Sequence, residues 1–74
     1  SIEALFIFKK EFICRIINNN SNKEKYLQIY KGDNLVYEKE IPFTFKYIGT
    51  NNNKIVGIIN NNENQKDICI LKLF

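Results

Sequence analysis

Seven apolar stretches follow one another along the chain, and turn-forming or polar residues separate each stretch from the next. Their apolar positions are mostly β-branched or aromatic, and each stretch is about six residues long, which is typical of strands. Gly, Asn and Asp fill the gaps, where tight turns need these residues. The pattern predicts strands at residues 2–8, 12–17, 25–30, 35–41, 43–48, 54–59 and 67–74.

Residues 2–17 also carry part of a helical pattern, because Ile2, Leu5 and Phe12 recur on one 3.6-residue face. Lys9 stands where that face needs an apolar residue, and Phe8 lies off it. Since Phe, Ile and Cys favour strands over helices, we predict two strands here.

The strands are of two kinds. Four of them are apolar at successive positions, namely those containing FICRII, YLQIY, IVGII and ICILKLF. Successive side chains point to opposite faces of a sheet, so we expect both faces of these strands to be covered. Residues 35–41, LVYEKEI, instead become polar on one side, as expected of an outer edge strand. The connections are short, so neighbouring strands should be antiparallel and form a meander.

An internal repeat accompanies this pattern, because IINNN occurs at residues 16–20 and again at 58–62. Displacing the chain by 42 residues places Ile13 on Ile55 and Ile16 on Ile58. After one gap in the following loop the displacement is 41, and Leu27 falls on Ile68. The Asn tracts are low in complexity, so the apolar pairs carry the repeat.

Units of about 40 to 45 residues with four strands each are typical of β-propeller blades. The inner strands of a blade are apolar on both faces and its outermost strand is exposed, which matches the order of strands here. The sequence therefore predicts an all-β antiparallel meander that is a fragment of a β-propeller. Residues 1–41 form the first blade-like unit, and residues 42–74 form a second, incomplete one.

The chain resembles the WD-repeat class of β-propeller over nearly two units. In that class the third strand ends in a hydrophobic-x-Trp-Asp motif, and the matching stretches here are residues 27–37 and 68–72. Tyr30 and Lys31 stand at the Trp and Asp positions of the first unit, and Leu71 and Lys72 stand there in the second. The chain has no His, so the Gly-His signature is missing. The resemblance is to degenerate propellers, which implies a scaffold for protein–protein interaction.

A single small closed β-barrel or sandwich is the alternative fold, and a module that binds nucleic acid or a peptide is the alternative function. A closed barrel would pair residues 2–8 with residues 67–74.

The sequence offers no catalytic machinery. It has no His, its only Ser residues are Ser1 and Ser21, and its three Gly residues are isolated. Glu38 and Glu40 share the polar side of one strand, where solvated carboxylates are expected. We therefore predict that the protein is not an enzyme, with no catalytic, cofactor-binding or metal residues and no cofactor. Binding residues cannot be assigned from the sequence.

Cys14 and Cys69 lie inside apolar strands, where a free thiol behaves as a small hydrophobic group. Two Cys without His fall short of a four-ligand metal site. We therefore expect two reduced thiols in the core, which favours an intracellular location, cytoplasmic or nuclear.

The charge of the chain indicates few partners. The formal net charge is +3, and the lysines are mixed with acids. Lys9, Lys10, Lys23, Lys25 and Tyr26 could touch single-stranded nucleic acid, but solvated loops are the simpler interpretation. The sequon at residues 19–21 arises readily where an Asn tract meets a Ser. No apolar run approaches the roughly 20 residues of a membrane helix, so no membrane insertion is expected. The expected partners are other chains or the rest of the same propeller.

The isolated 74-residue chain should aggregate, oligomerise or remain largely unfolded. It lacks Met and has apolar stretches at both ends, as expected of a fragment, and blade-like repeats need neighbours to bury their faces. Thermal unfolding combined with sedimentation at low concentration tests this. A sharp two-state transition of a monomer would contradict the prediction.

Overall fold

A computed structural model describes residues 1–51, 53–60 and 65–72, and within these ranges the chain forms strands and turns without helices. Seven strands occur, as predicted. They are β1 (Ile2–Phe8), β2 (Phe12–Asn19), β3 (Glu24–Lys31), β4 (Asn34–Ile41), β5 (Lys46–Asn51), β6 (Lys54–Asn60) and β7 (Lys66–Lys72). Residues 73 and 74 of the last predicted strand lie outside the described ranges.

The strands form two antiparallel sheets, and the predicted all-β meander is confirmed. One sheet has the order β1-β2-β3-β4 and the other the order β5-β6-β7. The chain divides into two compact units, Ser1–Phe43 and Thr44–Phe74, each of which contains one sheet. We refer to them as unit 1 and unit 2. The division predicted from the sequence falls after residue 41.

The alternative of a single closed barrel is wrong. Among the described strands, β1 pairs only with β2 and β7 pairs only with β6, so neither sheet closes. Strand pairing is interrupted at residues 42–45, which form a turn. Pro42 begins this segment and has no backbone N–H to donate to a ladder.

The fifth strand differs from its predicted range of 43–48, because β5 runs from Lys46 to Asn51. Phe43 and Phe45 fit the alternating pattern of a strand, but both lie in the connecting turn. The Phe45 side chain is fully buried there. The Phe45 ring is therefore buried by side-chain packing, although the residue does not belong to a strand.

A tight hairpin turn joins β3 to β4. Lys31 pairs with Asn34, so Gly32 and Asp33 form a two-residue connection. Gly32 has φ +61°, a left-handed conformation that glycine adopts without steric cost. The turn joining β1 to β2 uses Lys9 and Lys10 in the same left-handed region.

The β2–β3 and β6–β7 hairpins share one register. Ile13 faces Tyr30 in unit 1, and the displaced positions, Ile55 and Leu71, face each other in unit 2. The correspondence extends along both hairpins to Asn18 with Lys25 and Asn60 with Lys66. The displacements of 42 and 41 residues found in the sequence therefore also hold in the structure, because residues that pair in the β2–β3 hairpin correspond to residues that pair in the β6–β7 hairpin.

Each sheet has one buried and one exposed face. Directly opposed residues share a face and successive residues alternate. In unit 1 the centre of the Cys14 face is fully buried, through Cys14, Ile16, Leu27 and Ile29. Its other side, the Arg15 face, carries Leu5, Ile7, Ile13, Arg15, Ile17, Tyr26, Gln28, Tyr30, Leu35, Glu38 and Glu40, with Asn19 and Glu24 at its loop end.

Unit 2 buries the opposite side of its corresponding strands. The Ile55 face holds buried Ile55, Gly57 and Leu71 together with Cys69. The Val56 face carries Val56, Ile58, Ile68 and Ile70 together with Lys46, Lys54, Asn60, Lys66 and Lys72. Ile55 is fully buried whereas its counterpart Ile13 is 45% exposed. The expectation that both faces of these strands are covered is therefore met on only one face in each unit.

Gly57 is needed for the packing of the Ile55 face. A side-chain carbon at this position would collide with the Phe45 ring and with the backbone carbonyl oxygen of Lys46. The absence of a side chain at Gly57 therefore leaves the space that the buried aromatic ring occupies.

Replacing Gly57 with Ala should lower the free energy of unfolding by about 1–3 kcal/mol, because the ring and a backbone atom must both move. Chemical denaturation followed by circular dichroism measures the loss. Gly49→Ala is the matched control, since nothing lies within 4 Å of its added carbon. Equal effects of the two substitutions would contradict this packing role.

Candidate interaction surface

The Arg15 face is organised by a row of residues that crosses the sheet of unit 1. Leu5 lies opposite Arg15, Arg15 opposite Gln28, and Gln28 opposite Glu38. This register brings one residue from each of the four strands into line. Arg15, a charged residue at the centre of an otherwise apolar strand, is thereby placed beside Gln28. Gln28 in turn lies beside Glu38.

Hydrogen bonds connect the polar part of this row. Arg15 Nε donates to Gln28 Oε1 at 2.7 Å, and Gln28 Nε2 donates to Glu38 Oε2 at 2.6 Å. Arg15 Nη2 also donates to the Tyr30 hydroxyl at 3.0 Å, and the guanidinium lies 5.0 Å from the Tyr30 ring centre. Gln28 is buried, so both ends of its amide need partners, and the row supplies them.

Exposed apolar side chains border the polar row. Leu5 and Ile7 on β1 are 64% and 70% exposed, and Ile13 on β2 and Leu35 on β4 are also exposed. Scattered exposed apolar residues are ordinary, whereas a contiguous patch marks an interaction surface. Leu5 lies opposite Arg15, and Ile7 lies opposite Ile13. These side chains therefore form one patch rather than separate sites.

The loop end of this face is concave. A depression of about 650 Å³ is lined there by residues that include Arg15, Ile17, Asn19 and Tyr26. The Tyr26 hydroxyl donates to a Glu24 carboxylate oxygen. That hydrogen bond, with smaller contributions from burial and from the charges of Glu24, Glu40 and Glu38, raises the pKa of Tyr26 to about 12.

The Val56 face of unit 2 is also apolar, but it is bordered by lysines. Ile68 and Ile70 on β7 are 74% and 57% exposed. Lys46 lies beside Ile58, and Lys54 lies opposite Lys72 at one end of the sheet. A pocket of about 160 Å³ opens between Lys46 and Lys66, and Ile58 also lines it. It has room for a single side chain and is flanked by two positive charges.

Three of the lysines considered above for nucleic acid, Lys9, Lys23 and Lys25, have partners within unit 1. Lys25 is buried, and its Nζ lies 2.7 Å from Glu3 Oε2. The amino groups of Lys23 and Lys25 lie 5.3 and 5.4 Å from the Phe43 ring centre, and Lys9 stacks on Phe8. A buried and paired lysine is a poor contact for phosphates.

The two cysteines are both free, and they lie in different units. Cys14 is fully buried on the Cys14 face, whereas Cys69 is partly exposed. Burial raises the pKa of the Cys14 thiol to about 11. Only the thiolate reacts readily, so Cys14 should be nearly inert in the folded chain.

Cys14 in the Cys69→Ser variant should resist a thiol reagent until the chain unfolds. Denaturant provides the control, because the same thiol should then react fully. Rapid labelling of Cys14 in the folded variant would contradict its burial.

Because the folded pKa of Cys14 is about 11 and the ordinary value is 9.0, this thiol adds stability below pH 9. That contribution to the free energy of unfolding is lost as the pH rises to 11. Denaturant titration at pH 9 and pH 11 should therefore show a smaller loss of unfolding free energy for Cys14→Ala than for the unchanged chain.

Residues 1–51, 53–60 and 65–72 contain no cluster of three or more Cys, Asp or Glu side chains arranged to hold a metal ion. In the same ranges, no helix is long and apolar enough to cross a membrane. No protein-family model matches the chain, and neither a curated protein nor a solved structure matches it.

The sequence assigned no binding residues, yet a signal for the Arg15 face is present in it. Arg15 and Gln28 are polar residues in the middle of strands that are otherwise apolar. Such residues need partners on their own face, and the pairing register decides which ones they obtain. Glu38 was expected to be simply solvated, and the structure shows instead that it accepts a hydrogen bond from Gln28.

Proposed function

We propose that the protein is a non-catalytic scaffold for protein–protein interaction, built from blade-like sheets of a degenerate β-propeller. The single observation that carries this proposal is the shared register of the two hairpins. Paired positions in unit 1 correspond to paired positions in unit 2 along the whole length of both strands. Chance similarity between low-complexity Asn tracts does not account for a common register of strand pairing.

The distribution of burial also supports the proposal. Consecutive blades of a propeller present opposite faces to their neighbours, so a run of blades with incomplete surroundings has one face exposed on each terminal blade. The Arg15 face of unit 1 and the Val56 face of unit 2 are the exposed ones here, and they are opposite faces of corresponding strands. The Val56 face is apolar at its centre, and the Arg15 face carries exposed apolar side chains beside its polar row, as surfaces that bind protein do.

The polar edge strand fits the same arrangement. β4 lies at the outer edge of its sheet, and Glu38, Lys39 and Glu40 are exposed on it. In a blade this position is the rim, where charged residues discourage unwanted pairing of strands. At the position of the missing Trp, Tyr30 holds Arg15 on the exposed face.

An intracellular location, cytoplasmic or nuclear, completes the proposal. Cys14 and Cys69 are free thiols, and thiols persist where glutathione and thioredoxin keep the compartment reducing.

Electron microscopy of the protein isolated from its natural source, in whatever assembly it forms there, tests the proposal. We expect a ring of about 4 to 8 blade-shaped sheets around a central channel. A particle in which these two sheets stand alone, or in which they pack into a structure without a ring, would overturn it.

A further inference from the structure

The two exposed faces of the chain carry opposite charges. Four lysines accompany the apolar centre of the Val56 face, namely Lys46, Lys54, Lys66 and Lys72. On the Arg15 face, Glu24, Glu38 and Glu40 lie on β3 and β4 beside the exposed apolar residues of β1 and β2. Arg15, a positive charge on that face, is engaged with Gln28 and Tyr30.

The chain itself shows how such surfaces behave when they are covered. The apolar positions of the Val56 face correspond to Cys14, Ile16, Leu27 and Ile29, which are all fully buried in unit 1. Positions Ile13 and Tyr30 of the Arg15 face correspond to Ile55 and Leu71, which are buried in unit 2. Each exposed face is thus the counterpart of a face that the other unit buries.

We propose that the occupant of both exposed faces is a second copy of this chain. The lysine-bearing Val56 face of one copy docks on the acid-bearing Arg15 face of the next, and its apolar centre meets the exposed apolar side chains that border the polar row. Charge complementarity selects this pairing, because two Val56 faces or two Arg15 faces would oppose like charges. The inference rests on the proposed function in treating the two sheets as successive units of one architecture.

A pairing of two different faces has consequences for the size of the assembly. Each copy retains one free face of each kind, so association continues until a ring closes. The described residues of each copy form two sheets, and propellers have about 4 to 8 blades, so a ring built from these sheets holds about two to four copies. The 160 Å³ pocket between Lys46 and Lys66 is a place for an acidic side chain from β4 of the neighbouring copy.

A charge-exchange experiment tests the pairing. Variant K carries Lys46→Glu, Lys54→Glu and Lys66→Glu, so both of its exposed faces are acidic. Variant E carries Glu24→Lys and Glu40→Lys, so both of its faces are basic, and Glu38 stays in place to accept the hydrogen bond from Gln28. We expect sedimentation to show a discrete oligomer of about two to four copies for the unchanged chain. Each variant alone should associate at least about tenfold more weakly.

Mixing the two variants in equal amounts is the decisive step. The acidic Val56 face of variant K then meets the basic Arg15 face of variant E, and the reverse contact is equally matched. The association constant of the mixture should return to within about threefold of the association constant of the unchanged chain. Lys10→Glu, Lys31→Glu and Lys39→Glu together are the control of equal charge, since all three lysines are exposed outside the two faces. Circular dichroism checks that each variant folds.

A second variant keeps the test informative if a charge variant fails to fold. Ile68→Ser changes a side chain that is largely exposed in the single chain, so folding should survive while association weakens. Val36→Ser is its matched control, because Val36 is exposed at an irregularity of β4 outside both faces. Equal association of the two Ser variants would overturn the proposal.

The remaining outcomes are equally decisive. A monomeric unchanged chain, or weak association that the mixture does not restore, means that another acidic protein or nucleic acid occupies the lysine-bearing face, and the inference fails. If the natural particle is nevertheless a ring of blades, the proposed function stands without it. Charge-dependent association without a ring in the natural particle would instead overturn the proposed function alone.

Discussion

The alternation of side chains along an antiparallel strand is the constraint on which this structure depends. β2, β3, β6 and β7 are apolar at successive positions, so each of them necessarily presents apolar side chains on both faces of its sheet. Covering such surface stabilises a protein by about 25 cal/mol per Å². Each unit covers one face, and the other remains open. The exposed faces are therefore a consequence of strand composition rather than isolated features of the surface.

Polar residues within the sheet of unit 1 are accommodated by pairing. Arg15 and Gln28 would be costly in an apolar strand if they lacked partners, but cross-strand neighbours provide them. Lys25 is handled in the same way on the opposite face, through the carboxylate of Glu3 at an irregularity of β1. Removing one member of such a buried pair leaves an uncompensated charge, so these pairs select one register more than they add net stability.

Differences at corresponding positions accompany the burial of opposite faces in the two units. Arg15 in unit 1 corresponds to Gly57 in unit 2. The Arg15 guanidinium needs polar neighbours, and it lies on the exposed face of unit 1. Gly57 has no side chain, so the Phe45 ring occupies the space beside it on the buried face of unit 2. Gln28 likewise corresponds to Cys69, so corresponding hairpins have contrasting surfaces while their backbone pairing stays the same.

The sequence by itself determined the strands and their order, because β-branched and aromatic residues alternate with turn-forming ones at strand-length intervals. It also contained the displacement that relates the hairpins, since Ile13 and Ile55 are separated by the same interval as their strands. Tertiary structure alone decided that Phe43 and Phe45 lie in a turn, because their periodicity is equally that of a strand. It likewise decided which face of each sheet is buried. A strand that is apolar on both sides carries no local signal to distinguish its faces, and only packing and cross-strand register break that symmetry.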